Sequence, residues 1–153
     1  MIFTSRYSNR ELRVGKYFPV GISVGRPKFN LGYLLRDQCF ALAPKGNMLQ
    51  MAKEPYQKAY IEKIEAIGAE KIVKIVRGFD TRARDEGKQL VLLCYEDIRD
   101  PANWCHRTMF AEWWLKQTGE IIEELPDPSP VKLPKKPVTV VEPQQEMDQM
   151  CLF

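Results

Sequence analysis

The sequence has no apolar run long enough to cross a membrane. Its uninterrupted apolar segments span only a few residues, such as Leu90–Cys94, whereas a membrane-spanning helix needs about 20. The first residues, Met1–Arg6, lack the basic start and the apolar stretch of a secretory signal. We therefore expect a cytoplasmic protein with no membrane partner.

Histidine is scarce, with one residue in the chain, and charge of one sign does not dominate. The four cysteines are expected to be free thiols in a reducing compartment rather than a disulfide framework. The net charge of +3 permits nucleic-acid binding but does not argue for it. Hydrophobic residues make up 44% of the chain and charged residues 28%, which is typical of a globular domain with a core of its own.

Proline is concentrated in one segment. Six of the eleven prolines lie in residues 126–143, where a fixed φ and a missing backbone donor disfavour a packed helix or a central strand. We therefore expect a folded domain over residues 1–125 and a disordered, flexible proline-rich linker over residues 126–148. A short terminal peptide, residues 149–153, follows the linker.

The first 125 residues alternate between strand and helix patterns. Strands are predicted at residues 1–5, 18–24, 39–43, 89–95 and 120–125, and helices at residues 55–67, 70–79 and 100–119. Asp100-Pro101 suits the start of the last helix. The near-continuous apolar run at residues 89–95 is typical of a strand buried on both faces. The order predicts a single α/β domain, with a mainly parallel sheet flanked by helices.

The residues with the greatest chemical potential follow that buried strand. Cys94 and Glu96 come at its carboxyl end, and Cys105, His106 and Arg107 lie in the first turns of the next helix. Ligands of open α/β sheets bind beyond the carboxyl ends of the strands, and a helix N-terminus there favours an anion. We predict a phosphate or carboxylate site, with Cys94 and Arg107 binding the ligand and with Glu96, Cys105 and His106 as catalytic residues.

The thiols and the imidazole have structural interpretations as well. Cys94 is either a site residue or a small buried hydrophobe. Cys105, near a helix N-terminus, is a candidate nucleophile with a lowered pKa. His106 is its base, an anion ligand, or a structural cap of a turn.

The two charged residues of the block carry alternatives of the same kind. Glu96 is the acid best placed to act as a nucleophile or general base, and a carboxylate beside a sugar C1 suits chemistry at a base–sugar bond. Arg107 binds an anion, or it pairs with Asp97 or Asp100 at the surface.

Zinc is a further possibility for this block. Cys94, Cys105 and His106 offer three ligands, with Glu96 or Cys39 as a fourth. The spacing matches no common zinc knuckle, and adjacent residues such as Cys105 and His106 seldom ligate one ion together. On the sequence alone we assign neither a metal nor any other cofactor.

A second polar cluster follows the first predicted strand. Ser5 and Arg6, together with Arg26 and Lys28, are expected to line the same crevice at the strand ends. They would make a basic pocket for a phosphorylated ligand, such as a nucleotide or a nucleic-acid backbone. The alternative is a solvated loop with ordinary surface arginines.

Several of these motifs resemble one family. The segments TSRYSN, GISVGRPKFNLGY, LAPKGNML and LLCYED, followed by WCHR, are similar to the family catalogued as domain of unknown function 488, over roughly residues 1–125. The resemblance implies a Rossmann-like α/β domain and no settled activity. The positions that match the family motif are Arg6, Arg26, Pro27, Cys94, Glu96, Cys105, His106 and Arg107.

The terminal peptide has its own resemblance. Gln149, Met150, Leu152 and Phe153 match the pentapeptide by which bacterial DNA polymerases and repair proteins bind the replication sliding clamp, and Cys151 replaces the usual serine or aspartate. Apolar side chains at the end of a polar tether usually mark a binding site. The peptide predicts docking on a sliding clamp, unless the tail folds back onto its own domain.

Together the features favour a protein that acts on DNA or nucleotides, by hydrolysis or glycosidic cleavage, and that the tail recruits to the sliding clamp. The alternatives are a non-enzymatic adaptor or inhibitor of the clamp, and a thiol-dependent enzyme acting on a phosphorylated small molecule.

Overall fold

The computed structural model describes residues 1–132. Its strands are β1 Phe3–Arg6, β2 Tyr17–Gly21, β3 Asp37–Gln38, β4 Gln89–Cys94 and β5 Glu123–Glu124, and its α-helices are α1 Lys53–Ile67, α2 Ala69–Asp85 and α3 His106–Thr118. Short 3-10 helices cover Arg10–Val14, Phe40–Leu42 and Gly46–Met48. The predictions for residues 133–148 of the linker and for residues 149–153 lie outside the described residues.

The strands form one sheet in the order β3-β2-β4-β1-β5, and all described pairs are parallel. The predicted α/β class with a mainly parallel sheet is confirmed. In the register, Arg6 lies beside Cys94, and Gly21 lies beside Leu93. The carboxyl ends of β1, β2 and β4 therefore meet at one edge of the sheet.

Strand β4 is buried on both faces, as its apolar run predicts. Leu90 and Leu92 pack into the large core that all three α-helices cover, while Val91 and Leu93 pack into a smaller core on the other face. That second face is covered by the 3-10 helix Arg10–Val14 and by part of the loop between β2 and β3. The central position of β4 fixes the place where Cys94 leaves the sheet.

The strand predicted at residues 39–43 is wrong. β3 is limited to Asp37–Gln38, and the chain then turns through the 3-10 helix Phe40–Leu42. The carbonyl groups of this turn find partners on α1 instead of in a ladder. The Tyr60 hydroxyl donates to the Leu42 carbonyl at 2.7 Å, and the Lys63 ammonium donates to the Phe40 carbonyl at 2.8 Å.

The helix start predicted at Asp100-Pro101 is also wrong. The Asn103 amide donates to the Asp100 carbonyl, and the Ala102 amide donates to the Asp100 carboxylate, both at 3.0 Å. Proline therefore occupies the second position of a turn, which its fixed φ suits as well as a first helical turn. Helix α3 begins at His106, with Cys105 as an extended N-cap residue (φ −150°, ψ 148°).

The folded part continues past Leu125. The Asn9 side chain donates to the Pro126 carbonyl, Arg6 pairs with Asp127, and Arg99 donates to the Ser129 carbonyl. The first residues of the proline-rich segment are thus attached to the domain. Among the described helices, none is long and apolar enough to span a bilayer.

Candidate functional site

A cavity of about 530 Å³ opens at the carboxyl edge of the sheet. Its walls come from residues 23–25 after β2, from the last residue of β4 and the two that follow it (94–96), and from residues 102–105 with His106, the first residue of α3. Tyr56 of α1, Pro44 and Leu49 complete the lining. This is where a parallel sheet places a ligand. The cavity brings together four predicted site residues, namely Cys94, Glu96, Cys105 and His106.

The loop after β2 is held in place by buried hydroxyl groups. The hydroxyls of Tyr7 and Ser23 lie 2.7 Å apart, and the Ser23 hydroxyl donates to the Gly25 carbonyl at 2.6 Å. A Cβ atom at Gly21 would overlap the Tyr7 hydroxyl and the Gln38 side chain. Glycine at the end of β2 therefore allows the close approach that shapes this wall.

His106 is the centre of the reactive cluster. Its ring is buried, with only 3% of the residue exposed. Nε2 lies 2.7 Å from the Ile22 carbonyl oxygen, and because a carbonyl only accepts, Nε2 carries a proton and donates it. Nδ1 then faces two thiols, with Cys94 Sγ and Cys105 Sγ each at 3.7 Å.

The two thiols have opposite acidities. Burial raises the pKa of Cys105, but hydrogen bonding with Cys94 and with His106 outweighs the effect of burial and brings the pKa well below its usual value. The pKa of Cys94 lies well above its usual value, because of hydrogen bonding with Cys105 and because the thiol is buried. A negative charge placed here therefore belongs to Cys105, with Cys94 as its hydrogen-bond donor.

Glu96 stands beside the thiols at the mouth of the cavity. Its carboxylate lies 3.6 Å from Cys94 Sγ. Desolvation against the cavity wall and the neighbouring Cys105 raise the pKa of Glu96. The carboxyl group is thus poised to exchange a proton with a molecule in the cavity.

Aromatic rings form much of the remaining wall, and sequence reasoning did not single them out. Tyr56 and Trp104 pack edge to face with ring centroids 4.9 Å apart, and Tyr95 donates its hydroxyl to the Gly25 carbonyl at 2.8 Å. Tyr95 and Trp104 adjoin Cys94 and Cys105 in the chain, which is a signal that could have found them. The helical spacing of Tyr56 indicates only a core position.

Arg107 does not bind at the surface or line the cavity. It is fully buried, donates twice to the Glu124 carboxylate at 3.0 and 2.8 Å, and donates to the Glu96 carbonyl at 2.8 Å. The predicted alternative of a surface pair with Asp97 or Asp100 is therefore wrong. A fully buried guanidinium requires this kind of paired environment.

The other predicted anion ligands also lie elsewhere. The Ser5 hydroxyl is buried and donates to the Arg6 carbonyl, and Arg6 forms an ion pair with Asp127 at 2.6 Å. Arg26 and Lys28 are exposed on the loop after β2. None of these four side chains, nor any other lysine or arginine of the described residues, lines the cavity.

Comparison of the chain with protein-family models, with curated proteins and with solved structures found no match. The resemblance to domain of unknown function 488 and the resemblance of the tail to a clamp-binding peptide both stay predictions from the sequence.

The ion pairs beside the cavity predict a pH dependence of stability. Two hydrogen bonds from the Arg99 guanidinium hold the pKa of Asp97 at about 2. The pKa of an aspartate in the unfolded chain is about 3.9. The ionised carboxylate therefore contributes its full stabilisation of the fold above that pH, and this contribution is lost as the pH falls toward 2. Urea unfolding should show Asp97→Asn less stable than the natural chain at pH 6, with the gap closing by pH 2.

Asp85→Asn provides the control, because Asp85 is exposed at the end of α2. Its effect on the unfolding free energy should be small at both pH values. A gap for Asp97→Asn that stays constant from pH 6 to pH 2 would contradict the ion-pair account.

Proposed function

We propose that the protein is a hydrolytic enzyme that acts on DNA, with a nucleobase held in the cavity and Glu96 as its proton-transferring group. Its C-terminal peptide then recruits it to the replication sliding clamp. The observation that carries the proposal is the combination of aromatic walls, a carboxyl group of raised pKa and a buried Cys-Cys-His cluster in one open cavity.

The size and lining of the cavity support a planar, uncharged guest. A volume of about 530 Å³ lies within the range of small-molecule sites, which are mostly apolar with a few convergent polar groups. Enzymes that work on a base extrude it from the helix and read it by stacking and by hydrogen bonds to its edge. Trp104, Tyr95 and the Gly25 backbone offer such contacts here.

The distribution of positive charge supports a nucleotide bound with its base inside the cavity and its phosphates outside. No cation of the described residues lines the cavity, but Arg26 and Lys28 are exposed on the loop whose Gly25 forms part of the wall. A base inside and phosphates outside, on these side chains, would place each part of a nucleotide against matching chemistry.

Glu96 is the group that we expect to meet the reacting atom. A carboxyl group at the cavity mouth can take a proton from an attacking water or give one to a departing base, and general acid–base catalysis of this kind contributes about 10²–10⁴-fold to the rate. Hydrolysis at the base or at its bond to the sugar fits this geometry. The buried thiols are set deeper, beside the same carboxyl group.

The test combines binding and turnover. Oligonucleotides carrying modified bases are screened for base release and for a change of mass. The affinity for an oligonucleotide that reacts or binds is then measured by fluorescence titration. Trp104→Ala should weaken binding by about 5–160-fold, since stacking on one aromatic side chain is worth about 1–3 kcal/mol per base. Glu96→Gln should retain binding and slow turnover by about 100-fold or more.

Two exposed residues supply matched controls. Phe40→Ala removes an aromatic ring outside the cavity, and Glu65→Gln removes a carboxylate on the exposed side of α1. Both should behave as the natural chain. If Glu96→Gln is as active as the natural chain, the catalytic assignment is wrong, and if no modified oligonucleotide binds, the adaptor interpretation takes its place.

Clamp recruitment has a separate test. Calorimetry of the full chain against a bacterial sliding clamp should detect binding that disappears when the chain ends at Glu146. Replacing both Leu152 and Phe153 by alanine should weaken binding by about 30-fold or more, because anchor residues of an interface contribute about 2 kcal/mol or more. Cys151→Ser should bind as the natural chain does. Equal binding by the truncated chain would refute the role of the peptide.

A further inference from the structure

Three electron-pair donors converge on one point at the floor of the cavity. Cys94 Sγ, Cys105 Sγ and His106 Nδ1 all lie within 4.8 Å of one another. All three residues are buried, with 3–4% of each exposed. Lone pairs brought this close repel one another unless protons or a cation lie between them.

The spacing fits a tetrahedral metal centre. With Zn–S bonds of about 2.3 Å and Zn–N bonds of about 2.0–2.1 Å, ligand atoms at tetrahedral angles lie about 3.6–3.8 Å apart. The distances from Nδ1 to the two sulfur atoms are both 3.7 Å. Both nitrogen–sulfur distances match this geometry, and the two sulfur atoms, which lie within 4.8 Å of each other, would draw together around a shared ion.

The second nitrogen of the imidazole is arranged as it is in metal sites. A histidine that binds a metal usually donates its other N–H to a carboxylate or a backbone carbonyl, which fixes the tautomer and the ring orientation. His106 donates from Nε2 to the Ile22 carbonyl at 2.7 Å. Ile22 is itself fixed, because its amide donates to the Leu93 carbonyl at 2.9 Å.

The backbone explains how adjacent residues can both reach the ion. Cys105 is extended, as the N-cap, whereas His106 is the first residue of α3. The chain changes direction between them, so the two side chains point to a common position that sequence spacing alone does not indicate.

We propose that Cys94, Cys105 and His106 bind a Zn²⁺ ion, with the fourth position open to the cavity. Two thiolates and an imidazole suit a borderline-soft ion, and three protein ligands with an open position are typical of catalytic rather than structural zinc. Cys39 is not part of the cluster, and Glu96 stands beside the open side.

Zinc binding is inferred from the geometry alone. The catalytic role of the ion, in contrast, rests on the proposed function, which it deepens. Zinc lowers the pKa of a bound water. A water at the open position would lose a proton to the Glu96 carboxylate as its oxygen bonds to the electrophilic carbon of the substrate, and Glu96 would pass that proton to the departing group as the bond between that group and the carbon breaks. The thiols remain zinc ligands and undergo no redox change.

Metal content and spectroscopy test the site without reference to activity. The untagged chain, which has one histidine, is saturated with zinc, separated from excess ion and analysed by elemental mass spectrometry. We expect one zinc per chain. Replacement by Co²⁺ should give the near-ultraviolet charge-transfer absorption of thiolate–cobalt bonds, which reports ligation in the unaltered protein even where a variant folds poorly.

Three cysteine variants make the assignment specific. Cys94→Ser and Cys105→Ser should each lower zinc affinity by about 100-fold or more. Loss of a residue that only hydrogen-bonds to a ligand already lowers metal affinity by about 10–100-fold, and loss of the ligand itself costs at least as much. Cys39→Ser changes another buried free cysteine outside the cluster and should bind as the natural chain does.

The outcomes separate this proposal from the proposed function. Three results would each overturn the zinc site. They are a chain that holds no zinc after saturation, the absence of the cobalt–thiolate band, and zinc affinities of Cys94→Ser and Cys105→Ser equal to that of the natural chain. Full zinc occupancy together with no reaction on any DNA substrate would overturn the proposed function and leave the zinc site standing.

Discussion

The buried guanidinium of Arg107 is the contact on which the arrangement of the site depends. It joins α3 to the Glu124 carboxylate of β5 and to the Glu96 carbonyl of the loop after β4. Taking such a charge out of water is costly unless it is paired and hydrogen-bonded. These hydrogen bonds hold the N-terminus of α3 against the end of β4, whereas Nη1 of Arg107 is buried without a hydrogen-bond partner among the described residues.

Once α3 is fixed, the remaining site geometry follows from backbone groups. Cys94 leaves the sheet at the end of β4, and Cys105 and His106 approach it from the start of α3. The Ile22 carbonyl, just after β2, then selects the ring orientation that turns Nδ1 toward both sulfur atoms. The end of β4 and the start of α3 thus supply the cluster, and the residue after β2 orients its imidazole.

The part of this arrangement that the sequence predicts is the part carried by local pattern. The apolar run of β4 identifies a central strand, and the position of Cys94 and Glu96 just after it places them at the carboxyl edge. The sequence also predicts that Cys105 and His106 lie near the start of a helix, although that helix begins at His106 and not at Asp100. The parallel direction of the strands follows from the strand–helix–strand order, whereas the pairing of β1 with β4 was not predicted.

The part that the sequence does not predict depends on partners distant in the chain. Arg6 was expected to bind an anion, but Asp127 already neutralises its charge. Asp127 belongs to the segment that was predicted to be a linker because of its prolines. Arg107 was expected to bind an anion, but its guanidinium is paired with Glu124, which lies 17 residues away in the chain. Tyr56 reaches the cavity from α1 only through tertiary packing.

The protonation state of His106 tests the central claim most directly. Since the chain contains one histidine, a long-range proton–nitrogen correlation spectrum of the uniformly ¹⁵N-labelled protein reports a single imidazole. We expect a proton on Nε2 that is protected from exchange by the Ile22 carbonyl. A ring without a proton on Nε2 would contradict this arrangement of the site.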